Sequence, residues 1–122
     1  MGVSPEIYET IIPLGTMLHK EGSIIGGVFK IAFVFALFHL DFSGVAMMAT
    51  AVLIALLVGT VMGAIPGGGM LGELLILTVY GFPPSVLIAM ATISLIIDPL
   101  ATMLNVTGNT ISALLVQRFT SR

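Results

Sequence analysis

Apolar residues run through this chain in long blocks, divided by a few short polar or glycine- and proline-rich interruptions. Ser4-Pro5 is a helix start, a capping residue followed by a first-turn proline, and residues 5–18 continue it as a moderately apolar segment. The polar run His19-Lys20-Glu21-Gly22-Ser23 then sits badly in an apolar helix. Apolar text resumes over residues 24–40, with Lys30 as its one charge before His39. Asp41-Phe42-Ser43-Gly44 reads as a turn, and residues 45–62 are uncharged and close to the ~20 residues of a membrane span. Gly63-Ala64-Ile65-Pro66-Gly67-Gly68-Gly69 cannot continue a regular helix. Residues 70–80 form a short apolar helix of re-entrant rather than spanning length, and Gly81-Phe82-Pro83-Pro84 breaks it. A last helix is predicted over residues 85–115, interrupted at Asp98-Pro99, with a frayed polar tail from Gln117.

Composition turns this pattern into a membrane protein. The chain is 57% hydrophobic and 8% charged, with a mean hydropathy of +1.17, whereas a soluble domain carries roughly 25% charged residues. Lipid tolerates such a surface, and in lipid a helix satisfies its own backbone. The lysines and arginines number four and are scattered, so there is no cationic face for nucleic acid. There is no cysteine, which removes disulfides and thiolate metal sites. The opening residues lack the basic stretch and apolar run of a secretory signal.

Candidate chemistry lies where polar groups enter the apolar blocks. Asp98 stands deep in apolar sequence, and a charge at the centre of a membrane helix costs ~2.5–3.5 kcal/mol unless it faces protein or a watery cavity. At 100° per residue, Asp98, Thr102, Asn105 and Asn109 fall within roughly 60° of one another, a polar stripe fit to line a ligand path. Interhelical hydrogen bonding is the plainer use of the same Asn and Thr residues. The glycine-rich segment frees backbone groups that lipid cannot satisfy, so it belongs inside protein or beside a cavity, where helix ends present their dipoles to a ligand; a plain loop in water is the alternative. No Lys-Ser/Thr follows the glycines, which removes a phosphate-binding loop. His19 to Ser23 resembles the break of a broken membrane helix, with Glu21 to offer a carboxylate and His19 a proton, or else an interfacial turn with snorkelling charges. Lys30 has the choice of pairing with an acid or snorkelling, and Glu73 is placed to cap the short helix; no role is read for either. Asn105-Val106-Thr107 fits a glycosylation acceptor but lies in a predicted membrane helix. No nucleophile stands beside a base, so an enzyme is not expected.

Several segments, in this order, resemble the dicarboxylate/amino acid:cation symporter family, which includes the glutamate transporters. Met1-Gly2-Val3-Ser4 with Ile12-Pro13-Leu14-Gly15 is similar to the lead-in of that family's seventh helix. His19-Lys20-Glu21-Gly22-Ser23 stands where the family has Asn-Met-Asp-Gly-Thr. Ile65-Pro66-Gly67-Gly68-Gly69 resembles the tip of its second re-entrant hairpin. Asp98 through Thr102-Met103-Leu104-Asn105-Val106-Thr107-Gly108-Asn109 resembles the binding motif of its eighth helix.

The resemblance implies an all-α membrane protein: a broken transmembrane helix over residues 5–40, a re-entrant hairpin over residues 45–81 with its tip at 63–69, and a polar-striped transmembrane helix over residues 85–116. Together these are half of an elevator-type transport domain, so the chain is expected to be a carboxyl-terminal fragment of a multi-pass cell-membrane symporter, homotrimeric at full length. Carried over by position, Asp98 binds a substrate amino group, Thr102 and Asn105 add polar contacts, and the tip at Ile65, Pro66, Gly67 and Gly68 closes as the gate. The family's acidic-substrate members have Arg where Ala101 stands, so a neutral amino acid is expected in place of an acidic one. The family's sodium sites have Asn and Asp where His19 and Glu21 stand and Asp where Asn109 stands. His19, Glu21, Asn105 and Asn109 are therefore the candidate cation positions, for Na+ or H+, with no other cofactor. The alternatives are a small proteolipid-like subunit with Asp98 as proton carrier, and an inactive remnant.

Overall fold

The structure is a computed structural model and describes residues 2–60 and 65–120. These residues are helical throughout, in the order α1 (Pro5–Leu18), α2 (Glu21–Leu37), α3 (Val45–Thr60), α4 (Gly68–Tyr80), a 3-10 turn (Pro84–Val86) and α5 (Leu87–Thr120). Residues 61–64, which include Gly63 and Ala64 of the expected tip, lie outside the described residues.

Each boundary has a local cause. Ser4 is extended, Pro5 enters the first turn with its φ already set, and the Ser4 carbonyl accepts the amides of Ile7 and Tyr8 at 3.1 Å each. α1 stops where the His19 amide closes back on the Gly15 carbonyl at 2.7 Å, and α2 starts two residues later at Glu21. His19 and Lys20 are thus the break. α2 ends in a Schellman closure: His39 takes a left-handed φ of 54° and the Leu40 amide bonds the Phe35 carbonyl at 2.9 Å. α4 ends the same way at Gly81, with φ 72° and the Phe82 amide on the Leu77 carbonyl at 2.8 Å.

Two expectations about α5 change. Pro99 removes one donor, but the helix runs through it unbroken from Leu87 to Thr120. Membrane helices accommodate proline when neighbouring helices brace them, and α5 is flanked by α1, α2 and α4. Residues 117–120 of the expected frayed tail are helical, and Gln117 Oε1 accepts the Ser4 amide at 2.7 Å; residues 121–122 lie outside the described residues.

Among the described residues, one helix, Pro84–Thr120, is long and apolar enough to cross a membrane. At 1.5 Å per residue α3 is about 24 Å long and α4 about 20 Å, both short of a hydrocarbon core of ~30 Å. α3 and α4 pack against each other. Large apolar side chains such as Ile88, Leu95, Leu100 and Met103 are exposed along α5, while Ser94 and Asn109 on the same helix are buried. An exposed surface of large apolar side chains suits lipid.

Small residues bring the helices together. Ala51, Ala55 and Gly59 are the buried positions of α3, four residues apart, and a Cβ on Gly27 of α2 would come within 2.9 Å of Ala55. Between α2 and α5 the approach is closer. A Cβ on Gly22 would lie 2.2 Å from the Ala101 carbonyl oxygen, which is backbone and cannot turn away. A ring cluster pins the far ends of α2 and α4: Phe35 meets Tyr80 edge-on at 5.1 Å and Phe82 at 5.4 Å.

These contacts predict opposite tolerance at two glycines. Gly22→Ala should lower unfolding free energy in detergent by ~1–3 kcal/mol through backbone displacement. Gly108→Ala should cost less, because the atom it meets at 1.7 Å is Glu21 Oε1, the end of a side chain that can swing aside. Denaturant titration of both variants measures the difference.

Candidate substrate chamber

The broken helix, the start of α4 and the middle of α5 enclose a cavity of about 390 Å³. Its volume lies near the lower end of the ~300–1,000 Å³ range typical of small-molecule sites. Asp98, Thr102, Asn105 and Asn109, the stripe read from helical spacing, all border it. Ala101, His19, Gly68 and Gly69 border it too, whereas Ile65, Pro66 and Gly67 do not. Gly67 instead makes the left-handed turn, at φ 74°, from which α4 departs.

Asn105 joins the stripe to the break. α2 begins at Glu21 with no side-chain cap of its own, which leaves its first amides unpaired within the helix. Asn105 Oδ1 accepts the Gly22 amide at 2.8 Å and the Ser23 amide at 3.4 Å. Its Nδ2 donates to Ser23 Oγ at 2.9 Å. A residue of α5 thereby caps α2 from outside. Asn109 ties α5 to α1 in the same manner, donating through Nδ2 to the Ile12 carbonyl at 3.0 Å. Its Oδ1 is buried without a hydrogen-bond partner among the described residues and lies against Gly15, where an added Cβ would come within 1.8 Å.

His19 and Glu21 sit together at the break. His19 Nδ1 is 3.5 Å from Glu21 Oε2, and His19 Nε2 shares a 3.0 Å hydrogen bond with Ser112 Oγ on α5. A protonated ring donates to both partners, and a neutral ring carrying its proton on Nδ1 still donates to Glu21 while Nε2 accepts from the Ser112 hydroxyl. Among the described residues, no group of three or more His, Asp or Glu side chains is clustered to hold a metal ion.

Sequence reasoning left Lys30 and Glu73 without roles, and the structure puts both in the cavity wall. Lys30 Nζ reaches Asp98 Oδ1 at 2.9 Å and Glu73 Oε1 at 3.3 Å. The Lys30 and Glu73 side chains are only 11% and 6% exposed, against 57% for Asp98. Ser94 Oγ donates to the same Glu73 oxygen. Glu73 is therefore a buried ion-pair partner one turn inside α4, in place of the helix cap the sequence suggested. A periodic signal did exist. Ser23, Gly27 and Lys30 share one face of α2 at helical spacing, and Ser94 lies four residues before Asp98 on the polar face of α5.

Polar residues gathered inside an apolar bundle, around a cavity of small-molecule size, suit a helical membrane protein that takes up a small polar ligand. The model of the sodium:dicarboxylate symporter family matches residues 1–119, and the chain belongs to that family of cation-coupled secondary transporters. No curated protein and no solved structure gives a significant match.

Asn105→Ala should lower stability by ~1–2 kcal/mol, the usual worth of a helix cap. Asn105→Asp should lose less, since a carboxylate still accepts both amides and suits a helix amino terminus. Denaturation in mixed micelles reads both.

Proposed function

We propose that this chain forms the carboxyl-terminal half of an elevator-type transport domain in a cation-coupled symporter for a small neutral amino acid. The observation that carries the proposal is the single cavity bounded by Asp98, Thr102 and Asn105 on one side and by the start of α4 on the other. In this reading Asp98 takes the substrate's ammonium group, and Thr102 and Asn105 add polar contacts. The substrate carboxylate faces the amino-terminal turn of α4, where helix dipole and free amides favour an anion. Lys20 borders the same cavity from the break and adds a positive charge for that carboxylate. Ala101 brings no cation for a second, side-chain carboxylate; it is 6% exposed and packed near Gly26 of α2. That supports a neutral over an acidic amino acid.

The segment containing Ile65, Pro66, Gly67 and Gly68 acts as the gate, with α3 and α4 as the arms of a re-entrant hairpin. The coupling ion is Na+ or H+, carried at the positions of His19, Glu21, Asn105 and Asn109. Of these, His19 and Glu21, 3.5 Å apart, are the groups able to carry a proton. The full-length protein is expected to be a homotrimer in the cell membrane.

Asp98→Asn should abolish amino acid uptake by the full-length protein, a loss of at least about a hundredfold (≥ 2.7 kcal/mol), with expression and membrane insertion retained. Lys30 keeps Glu73 as a partner, so the variant should still fold. Gly69 borders the cavity, and a Cβ there meets nothing within 4 Å. A cysteine at Gly69 should react with a thiol reagent and be protected by substrate. Equal labelling with and without substrate would instead fit a proteolipid-like subunit.

Proton coupling has its own test. Uptake should rise with an inward pH gradient at fixed sodium and fall when that gradient is collapsed. Unchanged uptake would remove the proton from the cycle.

A further inference from the structure

The cluster of Lys30, Glu73, Asp98 and Ser94 is more than a brace. It holds one ammonium against two carboxylates, and its members differ sharply in access. Lys30 and Glu73 are the buried pair, with side chains 11% and 6% exposed, while Asp98, 57% exposed, is the carboxylate a solute can reach. The shorter of Lys30's two contacts is nonetheless to Asp98, at 2.9 Å against 3.3 Å for Glu73. The exposed carboxylate is thus already occupied by a cation that belongs to the protein.

We propose that Lys30 is the chamber's resident cation: its ammonium holds Asp98 when no cargo is bound, and a substrate ammonium displaces it onto Glu73. The proposal rests on the reading of Asp98 as the ligand of a substrate amine. Glu73 makes the exchange possible. Without it, a displaced lysine would be left unpaired in an apolar interior, at a cost of several kcal/mol. Glu73 is already within 3.3 Å of Nζ, and Ser94 Oγ holds the oxygen that receives it. The charges favour the exchange too. One ammonium faces two carboxylates before the substrate enters, and two ammonium groups face two carboxylates afterwards. Because Glu73 is on α4, the helix that leads away from the glycine tip, the displaced lysine binds α2 to the gate's own arm.

The test uses the purified full-length protein in lipid nanodiscs, with L-alanine as probe and propionate as the same acid lacking the ammonium group. Lys30→Met alone would leave two bare carboxylates and is open to misfolding. Lys30→Met/Glu73→Gln removes one charge of each sign, keeps the net charge of the cluster, and leaves Ser94 an acceptor. In the double variant L-alanine should bind about tenfold more tightly, the factor expected when a competing state held the site about nine-tenths of the time. Propionate should be unchanged. Lys20 and Lys30 are the lysines of the chain. With 15Nζ-labelled lysine, the resonance missing from the double variant is that of Lys30, and it should shift on saturation with L-alanine but not with propionate. L-alanine binding that is equal or weaker in the double variant, or a Lys30 resonance unmoved at saturation, overturns the proposal. If L-alanine binds Asp98→Asn as tightly as wild type, or fails to bind wild type and double variant alike, the amine reading of Asp98 falls instead.

Discussion

An ammonium shared between two carboxylates inside an apolar bundle is the constraint on which the arrangement of this protein turns. Lys30 comes from α2, Glu73 from α4 and Asp98 from α5, so the three helices can meet only in a register that brings these groups within contact distance. In lipid there is no hydrophobic force between helices to set that register, since the tails are as apolar as leucine. Buried charge sets it by exclusion. Any other rotation of α2 would leave Lys30 facing hydrocarbon, and any other placement of α4 would strip Glu73 of its partners. Such pairs add little net stability over a well-packed apolar core, yet breaking one side costs about 3–5 kcal/mol.

Glycine makes that register sterically available. Gly15, Gly22 and Gly108 lie where a side chain of one helix or the backbone of another fills the space a Cβ would take. The polar bonds that follow are all between the broken helix and α5: Asn105 on Gly22 and Ser23, Asn109 on Ile12, Ser112 on His19, and Ser4 on Gln117. Those of Asn105 and Gln117 satisfy amides that the break in the helix, or its beginning, would leave bare in lipid. The break and the polar stripe are therefore complementary halves of one structure, since the amides exposed by one are accepted by the other.

Much of this was legible in sequence because it is local or periodic. Ser4-Pro5 marks a helix start, Gly81 a helix end, and the 100° spacing of Asp98, Thr102, Asn105 and Asn109 collects them on one wall of a cavity. What was not legible is which face of one helix meets which face of another. Lys30 and Asp98 are 68 residues apart and Lys30 and Glu73 are 43 apart, and local pattern carries nothing over such distances. Gln117 looked like a frayed tail for the same reason, as its partner Ser4 is 113 residues away. Pro99 misled in another way. The rule against proline inside a helix is written for water-exposed helices, whereas α5 is held on several sides by its neighbours. His39, which sequence marks only as the close of an apolar block, is a backbone device, a non-glycine residue at φ 54° that ends α2.

A cavity built this way has a chemical preference before any ligand is considered. Its deepest charges are Lys30 and Glu73, nearly matched and shielded, while the reachable one is the Asp98 carboxylate. In the proposed exchange, an entering cation meets a negative group whose present partner steps back to a second carboxylate. An anion entering the same way meets Asp98 with no exposed cation at position 101 to offset it. The proposed zwitterionic substrate fits both conditions, with its ammonium end assigned to Asp98 and its carboxylate to the dipole of α4 and Lys20. In that proposal the uncharged Ala101 and a displaceable Lys30 act in the same direction. Both remove fixed positive charge from the ligand's path, and both leave the chamber suited to cargo that brings its own.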